Sequence, residues 1–156
     1  MAQTVSIKLF GFPDARKLVF AQKKILRAVS NDLLGTVLFN AQNIVLHHLN
    51  MQDLAWTPLA VYTVQKKDSS LILLDTFLYR DSIRAWKTKS AGYVGVNNTV
   101  AYPSGIKICE VAIDNEFGTQ KIPARPLWQP SANDVRAWRS SLSDDFLRAM
   151  IRKNMP

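Results

Sequence analysis

The chain has 156 residues, of which 47% are hydrophobic and 21% charged, a composition typical of one folded domain rather than of a disordered segment. Its single cysteine, Cys109, excludes an intramolecular disulfide and a cysteine-based metal cluster. The sequence shows neither a signal-peptide pattern at its start nor a run of about 18 apolar residues, so we expect no membrane span.

The formal net charge is +8, from 20 Lys and Arg against 12 Asp and Glu. Such an excess attracts phosphate in a salt-dependent way. The cations are nevertheless spread along the chain, in pairs such as Lys23-Lys24 and Lys66-Lys67. Because nucleic-acid footprints are marked by clustering, the pattern favours a solvated basic surface.

The N-terminal third is predicted to be mainly helical. Residues 4–10 have the alternation and β-branching of a short strand, and residues 11–14 form a predicted turn in which Asp14 caps, or lies in the first turn of, the next helix. Apolar residues then recur in steps of three and four over about residues 15–49, which predicts one long helix or two helices divided at Gly35.

The middle of the chain is predicted to contain short elements. Residues 50–70 look like a long connection, and residues 75–84 favour a short helical turn. Residues 84–89 and 93–96 are predicted strands. Residues 106–111 alternate like a strand, but they also fit the start of a helix, so this segment stays ambiguous.

The C-terminal region predicts a final helix. Ser131 has the chemistry of an N-cap, and an apolar stripe follows at helical spacing: Val135, Trp138, Leu142, Phe146 and Ala149. The predicted fold is therefore α+β: a long N-terminal helical segment packed on a small, mainly antiparallel sheet, with a C-terminal helix, in one domain covering residues 1–156.

Residues with catalytic or metal-binding chemistry do not form a recognisable pattern. His47 and His48 are adjacent, and helical neighbours point about 100° apart, so we expect one packed and one solvated histidine rather than a metal pair. Phosphate loops, zinc-protease motifs and nucleophile elbows are missing from the sequence. We therefore expect no enzyme, no cofactor and no metal.

The most unusual stretch is residues 115–130, NEFGTQKIPARPLWQP. Its prolines fix φ and hold the chain extended, while Gly118 can adopt positive φ. The proline-rich arm, residues 117–130, thus presents Arg125 and Trp128, two residue types that dominate protein–protein hot spots. The alternative is a rigid connector to the last helix, with Arg125 paired to Glu116 or solvated.

Residues 116–131, EFGTQKIPARPLWQPS, resemble the signature of the virion-morphogenesis, or tail-completion, family of long-tailed bacteriophages. Residues 56–59 (WTPL) are similar to the family's Trp-x-Pro-Leu stretch, and residues 73–83 to its leucine-rich segment ending in Ser-Ile. Residues 93–96 are similar to the strand that follows. The resemblance covers residues 56–135, but the family usually has glycine where Phe77 stands, which leaves the turn there open.

The resemblance implies a structural virion protein of the phage neck or head-proximal tail end, assembled in the host cytoplasm. Such subunits form rings, typically hexameric, that complete the tail or join it to the head. They contact the tail tube and a head-completion or portal-side ring, and DNA passes through them. The residues expected at the subunit or partner interface are Glu116, Phe117, Gly118, Thr119, Pro123, Arg125, Pro126 and Trp128.

A different class of function stays open beside this one. A basic nucleic-acid-binding module would use an arginine-rich C-terminal helix, in which the cations are Arg136, Arg139, Arg148 and Arg152. This alternative predicts tight DNA binding that weakens steeply with salt.

Overall fold

The computed structural model describes residues 13–88, 91–142, 144–153 and 155. This part of the chain contains six helices and two strands, in the order α1 (Pro13–Met51), α2 (Val61–Lys67), α3 (Leu78–Ser82), β1 (Ile83–Lys87), β2 (Gly92–Val96), α4 (Ile108–Phe117), α5 (Trp128–Ser140) and α6 (Asp144–Lys153).

The contacts divide the chain into two compact units. The larger unit is Leu34–Leu142. In the smaller unit, the described residues are the start of α1, up to Leu33, together with α6 and Met155. Within this smaller unit, Lys153 on α6 lies 3.3 Å from the Asp32 carboxylate on α1.

Helix α1 runs for 39 residues without a break at Gly35. It begins at Pro13, a position where the fixed φ and missing N–H of proline cost nothing. Of the predicted turn at residues 11–14, Pro13 and Asp14 are therefore helical, and Asp14 lies in the first turn rather than at the N-cap. Despite its length, α1 is too polar to cross a bilayer, and no other helix in the described ranges is long and apolar enough to do so.

The sheet is a two-stranded antiparallel hairpin, in which Ile83 pairs with Val96 and Lys87 with Gly92. Helix α1 packs on it closely at Gly92, where an added Cβ would lie 2.8 Å from both Leu38 methyl carbons. The Gln42 side-chain amide also donates to the Ile83 carbonyl at 3.1 Å. The predicted α+β arrangement, with a long helix on a small antiparallel sheet and a helix at the C-terminus, is confirmed.

The hydrophobic core of the larger unit joins the end of α1, the hairpin and the segments around them. Its buried members are Val45, Leu49, Trp56, Ile72, Leu74, Tyr79, Ile83, Ile108, Ala112 and Leu127. Three lie well apart in sequence and are almost fully inaccessible: Leu49 and Ile83 at 0% and Leu127 at 1% exposure. Leu127, which directly follows Pro126 in the arm, is thus part of the core.

Several predicted elements need correction or lie outside the structure's description. The predicted strand at residues 4–10 falls outside the described residues. The connection at residues 50–70 contains helix α2, and the ambiguous segment at residues 106–111 enters helix α4. The C-terminal apolar stripe is divided between α5 and α6, which belong to different units.

Candidate interface: the proline-rich arm and its surroundings

The arm leaves α4 through a turn that requires glycine. Gly118 has φ 74° and ψ 170°, a region open essentially to glycine alone. A Cβ at this position would lie 2.8 Å from the Ala124 backbone nitrogen. The turn is closed by Thr119, whose N–H donates to the Ile122 carbonyl at 2.8 Å and whose hydroxyl oxygen accepts from the Ile122 N–H at 3.1 Å.

Glu116, the residue before the arm, caps the helix that follows it. Its carboxylate accepts hydrogen bonds from the N–H groups of Leu127 at 2.8 Å, Trp128 at 2.9 Å and Gln129 at 3.0 Å. These are N–H groups that the first turn of a helix leaves without partners, and a negative charge there also favours the helix dipole. The predicted N-cap at Ser131 is wrong: α5 begins three residues earlier, and the Ser131 hydroxyl donates to the Leu127 carbonyl at 2.7 Å.

Arg125 is buried inside the chain, with 7% of its surface exposed. Its Nε donates to the Thr57 carbonyl at 2.9 Å and its Nη2 to the Pro58 carbonyl at 3.3 Å. Its backbone N–H donates to the Asn115 carbonyl at 2.6 Å. Burial lowers the pKa of the guanidinium from its usual value. Arg125 is therefore neither paired with Glu116 nor solvated, and its Nε and Nη2 both donate to main-chain carbonyls of its own chain.

Two tryptophans complete the attachment of the arm. Trp56, with 8% of its surface exposed, donates from its indole nitrogen to the Pro126 carbonyl at 2.7 Å. Trp128 is half-buried and packs against the core. Burial raises the pKa of the Tyr79 hydroxyl well above its usual value, and the neighbouring Trp128 side chain offsets part of this rise. Both indoles thus serve the fold of the chain.

The predicted interface residues are therefore divided between structural and exposed positions. Phe117, Thr119 and Pro123 are exposed, whereas Glu116, Gly118, Pro126 and Trp128 are half-buried and Arg125 is buried. Phe117 is the most open large apolar side chain of the arm, at 78% exposure. It borders a groove of about 420 Å³ between α4 and α5, whose lining includes Ile113, Trp128 and Ala132.

One exposed face of α4, which the sequence analysis did not identify, combines two carboxylates with two large apolar side chains. Glu110, Ile113, Asp114 and Phe117 follow the spacing i, i+3, i+4, i+7 that places side chains on one face of a helix, and all four are exposed. We call them the acidic stripe. Helix α4 contains no Lys or Arg, and neither Glu110 nor Asp114 makes an ion pair with any described residue.

Helix α2 has an exposed face of the opposite sign. Val61, Tyr62 and Lys66 are all exposed, and Val61 and Tyr62 each keep 73% of their surface. We call these three residues the basic stripe. The helix contains no buried residue, and its N-cap, Ala60, makes no side-chain hydrogen bond.

The two histidines differ as the sequence predicted. His47 has a 62% exposed side chain, whereas His48 is buried between two carboxylates. Its Nδ1 lies 2.7 Å from the Asp53 carboxylate and its Nε2 2.9 Å from that of Asp134 on α5. The hydrogen bond with His48 is the largest cause that lowers the pKa of Asp53 below its usual value.

The four arginines of the alternative nucleic-acid module do not share one helix. Arg136 and Arg139 lie on α5 in the larger unit, and Arg148 and Arg152 lie on α6 in the smaller one. Among the described residues, no group of three or more His, Cys, Asp or Glu side chains could hold a metal ion.

Comparisons with protein-family models, with curated proteins and with solved structures return no match for this chain.

Proposed function

We propose that this chain is a structural virion protein of the phage neck or head-proximal tail end. In this proposal it forms a ring that completes the tail or joins it to the head, and it acts by assembly rather than catalysis. The basis is the resemblance of residues 56–135 to the tail-completion family. The observation that carries the proposal is the direct contact between the two most characteristic stretches of that resemblance, residues 56–59 and the arm.

These two stretches hold each other through buried polar contacts. Trp56 donates to the Pro126 carbonyl at 2.7 Å, and Arg125 donates to the Thr57 carbonyl at 2.9 Å. Buried hydrogen bonds of this kind cost more when broken than they contribute when formed, so each partner depends on the other. The contact explains why the resemblance to the family includes both residues 56–59 and the distant arm, since the two stretches form one structural unit.

The backbone conformation at Phe77, where the sequence departs from the family, also supports the proposal. Phe77 has φ 58°, in the left-handed region that glycine enters freely and other residues enter at a cost of about 1–2 kcal/mol. The backbone at this position is thus of the kind that the family's usual glycine would adopt. Arg80 lies over the Phe77 ring, with its guanidinium carbon 4.6 Å from the ring centroid, which offsets part of the strain.

Negative-stain imaging of the purified protein, alone and mixed with headless phage tails, tests the proposal. We expect closed rings, or added density at the head-proximal end of the tails. Mobility-shift assays with duplex DNA at several salt concentrations are run in parallel. Dispersed monomers that leave the tails unchanged but bind DNA with a steep salt dependence would contradict the proposal and favour a nucleic-acid-binding module.

A further inference from the structure

We propose that the acidic stripe of α4 binds the basic stripe of α2 on a second copy of this chain. The contact would be heterologous, with each subunit using α4 toward one neighbour and α2 toward the other. This inference rests on the proposed function in one respect only: the repeated contact is expected to close into a ring.

The acidic stripe has the composition of a contact surface. Ile113 and Phe117 keep 58% and 78% of their surfaces exposed, next to two carboxylates without an ion-pair partner among the described residues. Burying large apolar side chains on association gives about 25 cal/mol per Å² of apolar surface removed from water. On a chain with a net charge of +8, a helix without a single cation is a local exception that would attract a basic partner surface.

The basic stripe supplies the complementary chemistry. Val61 and Tyr62 offer apolar surface next to the Lys66 ammonium group, matching the apolar side chains and carboxylates of α4. Helix α2 has seven residues and none of them is buried. Helices this short are marginal unless one face packs against something. Val64 and Lys67 are half-buried within the chain itself, and a neighbouring subunit would cover the exposed face that holds the basic stripe.

The sign of the charges determines the symmetry of the contact. Two acidic stripes facing each other would place carboxylates against carboxylates, so a two-fold contact of α4 with itself is disfavoured. A contact between unlike surfaces propagates from subunit to subunit and gives a ring when the rotation closes. At about 0.15 M salt, charges more than roughly 8 Å apart are largely screened, so the net positive charge of two basic chains opposes a contact between complementary stripes only weakly.

Charge exchange tests the contact. Asp114→Lys and Lys66→Glu, each alone, are expected to weaken self-association about tenfold or more in analytical ultracentrifugation. The double variant is expected to return within about threefold of the wild type, because the pair is restored with its signs reversed. Asp144→Lys on α6 makes the same change of charge outside both stripes and is expected to have no effect. Thermal melts of every variant exclude unfolding as the cause.

Cross-linking tests the head-to-tail geometry directly. In a Cys109→Ser background, Ile113→Cys and Tyr62→Cys are prepared as separate proteins and oxidised alone and as a mixture. We expect a disulfide-linked dimer chiefly in the mixture. Equal cross-linking of either variant with itself would overturn the heterologous contact, and so would a wild-type protein that stays monomeric up to millimolar concentration.

The two proposals can fail separately. If the wild type forms rings or caps tails while both single charge variants behave like it, the stripes are not the contact and the proposed function stands. If the double variant restores association but neither rings nor tail caps appear, the contact stands and the proposed function fails.

Discussion

The indole N–H of Trp56 donates a 2.7 Å hydrogen bond to the carbonyl of Pro126, 70 residues further along the chain. Beside it, the Arg125 guanidinium donates to the carbonyls of Thr57 and Pro58. The arm is therefore fixed to the body of its own chain by partly buried hydrogen bonds. Its stiffness positions the exposed surface of α4 and the start of α5, and the arm's own arginine is not available to a partner.

Arg125→Ala should destabilise the protein by about 1–3 kcal/mol, because the packing of a buried side chain and two partly buried hydrogen bonds to main-chain carbonyls are lost. Arg125→Lys should recover only part of this loss, since one ammonium group cannot reproduce the planar pair of donors. Urea denaturation measures both effects. Lys121→Ala, at an exposed position of the same arm, is the matched control, and equal stability of the Arg125 and Lys121 variants would contradict the structural role.

Glu116→Ala should cost about 1–3 kcal/mol, because three N–H groups at the start of α5 lose their acceptor. Glu116→Gln keeps one acceptor oxygen and should lie between the wild type and alanine. For a chain of this size, each kcal/mol corresponds to a fall of about 2–4 °C in Tm. Gln120→Ala, at an exposed position of the arm outside both stripes, should leave Tm unchanged, and a similar fall in that control would refute the capping role.

Gly118→Ala should be clearly more destabilising than Gly105→Ala. Both glycines have positive φ, 74° and 85°, so both variants carry backbone strain, and the ψ of 170° at Gly118 adds to it because that region is essentially confined to glycine. Only at Gly118 does the added Cβ meet backbone atoms, with Ala124 N at 2.8 Å, whereas nothing lies within 4 Å of it at Gly105. Chemical denaturation of the pair measures the added cost of the backbone conformation and of the steric contact at Gly118, and equal losses would contradict this close approach of the arm.

Phe77→Gly should be more stable than Phe77→Ala by about 1 kcal/mol, because glycine adopts positive φ without strain and alanine does not. Both variants lose the aromatic ring over which Arg80 lies, so the ring contact cancels in the comparison. Thermal unfolding of the two variants gives the difference. A more stable alanine variant would mean that position 77 has another backbone conformation.

Asp53→Asn should remove part of the loss of stability in acid. The pKa of Asp53 is lower in the folded chain than its usual 3.8. Its contribution is therefore present above that value and is lost as the pH falls through the folded-state pKa. Urea midpoints measured from pH 2.5 to 7 should fall less steeply for Asp53→Asn than for the wild type. Asp68→Asn is an exposed control, and an unchanged acid limb in the Asp53 variant would contradict the role of the His48 contact.

The elements with strong local patterns were predictable from the sequence. The long helix follows from apolar steps of three and four, and residues 93–96 lie in a strand as their composition indicates. Helix α2 was missed because none of its residues is buried, so it carries no apolar periodicity. The segment from residue 106 was ambiguous because Ile108 and Ala112, its two buried residues four apart, overlap an alternating run.

The sequence predicted which residues make the arm stiff, but it did not predict which groups the arm contacts. The prolines and Gly118 correctly mark a stiff segment that turns sharply. The acceptors of Arg125 are main-chain carbonyls 67 and 68 residues away. Because every residue has a main-chain carbonyl, the sequence does not indicate which of them an arginine will bind. The cap of α5 comes from Glu116, 11 residues before Leu127. Local capping rules consider only residues next to the helix start, and they therefore indicated Ser131.

During translation, residues 56–58 leave the ribosome well before Arg125 and Pro126 are added. Until then the Trp56 indole lacks its acceptor and the carbonyls of Thr57 and Pro58 lack their donors. Closing a loop of about 70 residues costs only a few kcal/mol of entropy, so docking follows readily once both ends exist. A nascent or truncated chain that stops short of residue 125 therefore lacks these hydrogen bonds, and we expect cellular proteases to degrade it faster than the full chain.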